Sequence, residues 1–116
     1  MICGDIEWYD VQYICKILKT LNKNCTIVQG KMKGVEFIAN FYGHLLGYKI
    51  KCNTNYNLKN YATLDYSDRL YLLYIEENPT KILIVDNKFE SNKAYDFIED
   101  IKDKVEIIVI KSIMNT

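Results

Sequence analysis

Gly30 and Gly34 stand four residues apart, where the β-branched run Thr26-Ile27-Val28 gives way to an amphipathic segment starting at Val35. Glycines at such a junction let backbone approach a ligand closely. They also expose N–H groups at a helix start, where phosphate and other anions are held. Lys31 and Lys33 add positive charge to the loop, and Met32 lies between them. Glu36 falls in the first turn of the helix. Its carboxylate either caps neighbouring amides and complements the helix dipole, or bonds a ribose hydroxyl or the loop after the first strand. The plainer reading of the pair is a turn that needs glycine for its geometry alone.

Acids supply the second set of reactive groups. Asp5 and Glu7 follow Gly4 at the mouth of the first strand, and Asp86 with Asn87 closes the run Lys81-Ile82-Leu83-Ile84-Val85. Paired carboxylates are what general acid–base catalysis uses, and they also hold ribose hydroxyls. A solvated loop accounts for them equally well. Trp8 either stacks on a base or lids the core. His44, near a helix C-terminus, reads as structural. Ser67, Ser91 and Ser112 have no nucleophile elbow around them, and Gly30-Lys31 is followed by methionine rather than the hydroxyl residue of a phosphate-binding P-loop.

The elements that must position these groups follow from periodicity. Met1–Gly4 reads as a short strand. Asp10 caps a helix whose apolar stripe is Val11, Ile14, Ile17, Leu18 and Leu21. Cys25–Val28 is a strand apolar on both faces, and Val35–Leu46 a helix closed by Gly47 in left-handed geometry. A strand over Tyr48–Cys52, a loop over Asn53–Asn60 and a helix over Leu64–Glu76 come next. Then follow the strand Lys81–Val85, a polar loop over Asp86–Ser91, a helix over Lys93–Lys102 and a strand over Val105–Ile110. Strands alternating with helices predict an α/β fold: a Rossmann-like three-layer α/β/α sandwich around a mostly parallel five-stranded sheet.

With 116 residues the chain has room for one domain, spanning 1–116. Fifteen basic and fifteen acidic residues cancel, which argues against extensive nucleic-acid binding. No apolar stretch reaches membrane-spanning length, and no secretion signal is expected from the first residues. Cys3, Cys15, Cys25 and Cys52 lack paired spacing, so reduced thiols are expected and neither a metal nor a cofactor is called for. These features predict a cytoplasmic protein. The Asn-, Ile-, Lys- and Tyr-rich composition is that of an AT-rich coding sequence, as in low-GC bacteria, their phages or large DNA viruses; a viral chain would work in the host cytoplasm. Tyr56, Tyr61, Tyr66, Tyr71 and Tyr74 either wall a base pocket, form a homo-oligomer face or pack helices, with Tyr71 and Tyr74 spaced for packing.

Gly4-Asp5-Ile6-Glu7-Trp8 resembles the G-S-R-D-W/F opening of a SLOG-superfamily subgroup, the small YspA-like one. SLOG proteins are Rossmann-like relatives of the LOG phosphoribohydrolases and of the DNA-processing protein DprA. Gln29 to Ala39 is similar to the subgroup's H-G-x-A-x-G-A-D-x-x-A motif, and Asp68-Arg69 to a charged pair before its third helix. The resemblance implies a nucleotide-type ligand at Gly4, Trp8, Gly30, Gly34, Glu36 and Arg69, in a protein that pairs with itself. The chain departs from LOG enzymes after the fourth strand. Their P-G-G-x-G-T-x-x-E loop is replaced by Asp86 to Lys93, which has no glycine. The expected function is therefore binding of a nucleotide-like small molecule, with sensing or sequestering of a signalling nucleotide as its role. The alternative is an N-glycosidic hydrolase using Glu36 with Asp5, Glu7 or Asp86. A third reading is a ligand-free dimeric interaction module.

Overall fold

The computed structural model describes residues 1–52, 64–87 and 95–112. Along them strands and helices alternate: β1 (Ile2–Gly4), α1 (Val11–Lys19), β2 (Thr26–Gln29), α2 (Val35–Leu45), β3 (Lys49–Cys52), α3 (Tyr66–Glu77), β4 (Lys81–Asn87), α4 (Tyr95–Ile101) and β5 (Glu106–Ser112). Every strand pair among the described residues is parallel. β1 lies on β4 with Ile2 opposite Leu83, β4 on β5 with Lys81 opposite Glu106, and β2 on β3 with Thr26 opposite Lys49. β1 and β2 adjoin without a backbone ladder, so the hydrogen-bonded order is β1-β4-β5 beside β2-β3. The fold is Rossmann-like α/β.

Alternation along the central strands separates two cores. Ile2, Leu83 and Val85 face α1 and α2, where they meet Ile14, Leu18, Val35, Ile38 and Ala39. Cys3, Ile82 and Ile84 face the other way, onto Tyr66 and Leu70 of α3 and Phe97 and Ile101 of α4. A strand with both faces covered must be apolar at successive positions, which is why Ile82-Leu83-Ile84-Val85 has no polar member. The layers are thus α1/α2, sheet, α3/α4.

Local chemistry sets the boundaries. Asp10 caps α1 by accepting from Tyr13 N at 3.2 Å. The helix stops at Lys19, short of the expected Leu21, because the Thr20 hydroxyl turns back to the Ile17 carbonyl at 2.6 Å. Asp65 accepts from Asp68 N at 2.9 Å and starts α3 two residues later than the apolar pattern suggests. Gly47, at φ +88°, ends α2 in left-handed geometry as expected, and Asn78 does the same for α3 at φ +45°. β4 runs on through Asp86 and Asn87, placing both in the sheet rather than in the loop. The loop expected at Asn53–Asn60, the rest of the polar loop up to Ser91 and the first two residues of the helix expected from Lys93 lie outside the described residues. Among the described residues no helix is long and apolar enough to cross a membrane.

Candidate functional site at the carboxyl edge of the sheet

In a parallel α/β fold the ends of the strands and the starts of the helices meet at one edge. The buried polar residues among those described are Gln29, Glu36, Ser67 and Asp86. Gln29 ends β2, Glu36 and Ser67 sit in the first turns of α2 and α3, and Asp86 is near the end of β4. All of them are therefore at the carboxyl edge. Burying polar groups costs free energy unless they are bonded, so this concentration has to be accounted for.

Glu36 is the centre of it. The side chain is 2% exposed, and one carboxylate oxygen accepts from Gly30 N at 2.7 Å. The other accepts from the Tyr66 hydroxyl in a short bond, and the Met32 amide is a further donor. Tyr66 in turn accepts from Gly4 N at 3.2 Å. Asp5 N donates to Val85 O at 2.9 Å, so by strand alternation the Gly4 N–H points away from β4, toward β2. The relay Gly4, Tyr66, Glu36, Gly30 thus bridges the place where a β1–β2 ladder would run. The expected five-stranded sheet is present as two hydrogen-bonded sets, joined at the carboxyl ends of β1 and β2 by side chains.

The loop between β2 and α2 is consequently closed from within. Lys31, in left-handed geometry at φ +59°, donates its N–H to the Gln29 side chain at 2.5 Å. Gln29 is held by Asn40 at 2.7 Å. At the helix start Val35 N donates to Asp5 O at 3.2 Å and Phe37 N to Met32 O at 2.9 Å. Glu36 therefore fills the anion-binding cradle that the glycine spacing predicts. Of the two sequence alternatives for this residue, the capping of neighbouring amides is the one the geometry supplies. Gly34, at φ +84°, presses on the loop after β1: a Cβ there would overlap Asp5 O and lie 2.6 Å from Ile6 C. Its geometry serves the contact between the two loops.

Burial pushes the Glu36 carboxyl above its ordinary range, against the pull of the Tyr66, Gly30 and Met32 hydrogen bonds and of the Arg69 charge. The Tyr66 hydroxyl is pushed well above its usual range by burial and by Glu36 beside it. A folded state that holds a proton more tightly than the unfolded chain loses stability as pH rises between the two pKa values. The Glu36 contribution is therefore fully present below the ordinary glutamate pKa of about 4.3 and declines above it, through the raised folded value. Glu36→Gln removes that titration. The stability difference between wild type and Glu36→Gln in urea titrations should shrink as pH rises across this window, and a widening difference would contradict the assignment.

Asp5 lies between these loops. One carboxylate oxygen accepts from Glu7 N at 2.8 Å, while Oδ2 is buried and accepts no hydrogen bond from the described residues. Asp86 is 1% exposed one residue beyond Val85, the partner of Gly4 across β1–β4. Asn87 follows it, half-buried. Arg69 reaches toward the same edge, with one guanidinium nitrogen 3.8 Å from Met32 Sδ. Lys31 and Lys33 are exposed, and Lys33 pairs with Glu7 at 2.7 Å. Both partners of that pair are more than 60% exposed, so Glu7→Gln should change stability by no more than about 0.5 kcal/mol in chemical denaturation.

Trp8 belongs to packing. It is 3% exposed, lies 5.5 Å from the Tyr13 ring and donates its indole N–H to Asp10 O at 2.9 Å. It lids the α1/α2 core and presents no free face for stacking. Tyr71 and Tyr74 pack against the α3/α4 core, Tyr74 edge-on to Phe97 at 6.2 Å. Tyr56 and Tyr61 lie outside the described residues. His44 is exposed in the last turn of α2. The cysteines are free, and burial pushes the fully enclosed Cys3 thiol far up, which makes it an unreactive packing group.

The structure brings together Gly4, Asp5, Gly30, Met32, Gly34, Glu36 and Arg69 through direct contacts or charge interaction. Tyr66 as the link between β1 and β2, and Gln29 as a clasp on the loop, are not marked by sequence spacing. A tyrosine opening a helix directly after an Asp cap is the only local trace of the first. Comparison of the chain with family models, curated proteins and solved structures yields no match.

Proposed function

We propose that this chain binds a nucleotide-type small molecule at the carboxyl edge of its sheet. The observation that carries the reading is the gathering of the buried polar side chains at that edge, around the loops after β1 and β2. An apolar core with polar groups collected at one crevice is the usual form of a small-molecule site in open α/β folds. The SLOG resemblance of Gly4–Trp8 and Gln29–Ala39 favours the same ligand class. Asp5, with a buried oxygen that no donor among the described residues reaches, is the acceptor for a sugar hydroxyl. Lys31, Lys33 and Arg69 supply the positive charge for phosphate.

Binding is preferred to turnover because Glu36, the acid a LOG-like hydrolase would use, is enclosed and occupied by the protein's own donors. Its role here is to position the loop.

Small molecules released by heating the purified protein, identified by mass spectrometry, test the proposal. A nucleotide-like species near one per chain is expected. Emptied protein should gain about 2.7 kcal/mol of stability from that species at a hundred times its dissociation constant. Asp5→Asn should abolish the gain while leaving the melting temperature of the empty protein nearly unchanged. An empty preparation that no nucleotide stabilises would contradict the proposal. Release of a free base from an added nucleoside monophosphate would replace it with the hydrolase reading.

A further inference from the structure

The outer surfaces of the two helical layers are opposite in character. α1 carries Lys16 and Lys19 and no acid, and the one acid of α2 is the buried Glu36. α3 and α4 carry Asp68, Glu76, Asp96, Glu99 and Asp100 on exposed positions, with Arg69 as their only base. The net charge of zero conceals this division.

Each surface also has an apolar ridge that its own layer leaves uncovered. On α2, Phe37, Phe41 and Leu45 are 57%, 52% and 68% exposed. Their spacing of four residues makes one continuous ridge about 12 Å long, the kind that inserts between the ridges of another helix. Beside it runs an open groove walled by Gln12, Cys15, Lys16 and Lys19 of α1 and by Tyr42 of α2. On α3 the outward positions are Asp68, Leu72, Ile75 and Glu76, of which Ile75 is 56% exposed. That is a helix ridge with an apolar middle and an acid at each end.

We propose that the chain associates with a second copy of itself head to tail, the outer ridge of α3 seating on the α1/α2 face of the next molecule. Leu72 and Ile75 would meet Phe41 and Leu45, while Asp68 and Glu76 meet Lys16 and Lys19. The two surfaces lie on opposite faces of the sheet, so the contact is heterologous. Each molecule keeps one ridge and one groove open after pairing, and association continues into a ring or an open chain. Charge matching makes it salt-sensitive.

Sedimentation of the full chain tests this, with two variants at exposed positions remote from the carboxyl-edge site. Wild type should grow in mass with concentration at about 50 mM salt and dissociate at about 0.5 M. Phe41→Glu puts a charge in the middle of the α2 ridge and so blocks the α1/α2 face, and Ile75→Lys blocks the α3 ridge, so each alone should be monomeric. Their equimolar mixture retains one good surface on each partner and should give a heterodimer and nothing larger, which also shows that both variants fold. A monomeric wild type overturns the proposal, including one that instead sediments with anionic vesicles. So does a dimer that survives Ile75→Lys but not Phe41→Glu, since the α2 ridge would then pair with itself.

Discussion

Replacing Gly4 with alanine is expected to lower the free energy of unfolding by about 3–5 kcal/mol. Gly4 holds φ at +149°, a conformation that L side chains rarely adopt, in the last position of a buried central strand. A Cβ added there would sit on the Val85 carbonyl oxygen and within 2.8 Å of its carbon. That oxygen accepts the Asp5 N–H at 2.9 Å, and so closes the β1–β4 ladder. Neither side of the clash is a flexible side chain. Relief requires β1 to move away from β4, which also pulls the Gly4 N–H from Tyr66. Urea unfolding followed by circular dichroism gives the loss directly. A change below about 1 kcal/mol, the ordinary cost of a point substitution, would mean that β1 does not approach β4 as described.

Glu36→Ala should cost a similar amount, about 3–5 kcal/mol, for a different reason. The substitution leaves the amides of Gly30 and Met32 and the hydroxyl of Tyr66 without their acceptor. Tyr66→Phe, which keeps the ring in the α3/α4 core, removes one link of the relay and should cost about 1–3 kcal/mol. Because both residues serve one chain of hydrogen bonds, the double variant should lose clearly less than the two single losses added together. Additive losses in a double-mutant cycle would show that Glu36 and Tyr66 act independently. In that case the bridge between β1 and β2 is not what holds the loops.

These two residues also mark the limit of what the sequence discloses. The alternation of elements, the caps at Asp10 and Gly47, and the burial of Ile82–Val85 are local or periodic properties, readable from neighbours a few positions apart. The position of Gly34 in a tight loop is readable for the same reason. What Gly34 packs against is not, because Asp5 and Ile6 are distant in sequence and only the fold brings them near. The same holds for Tyr66 and Glu36, thirty residues apart. A carboxylate in the first turn of a helix has the same sequence signature whether it meets a ligand or its own loop. Here it meets the loop, and in the proposed binding mode the ligand-facing role falls to Asp5 and the surrounding cations. Trp8 carries the same ambiguity, and its burial beside Tyr13 settles it in favour of the core.

The claim that a nucleotide-type ligand sits at the carboxyl edge is tested most directly by amide chemical-shift mapping. Isotope-labelled, ligand-free protein would be titrated with a nucleoside monophosphate. Saturable shifts confined to Gly4–Trp8, Gly30–Val35 and the end of β4 at Asp86 and Asn87 are expected. Unmoved resonances at that edge, or saturable shifts only on the outer faces of the helices, would contradict it.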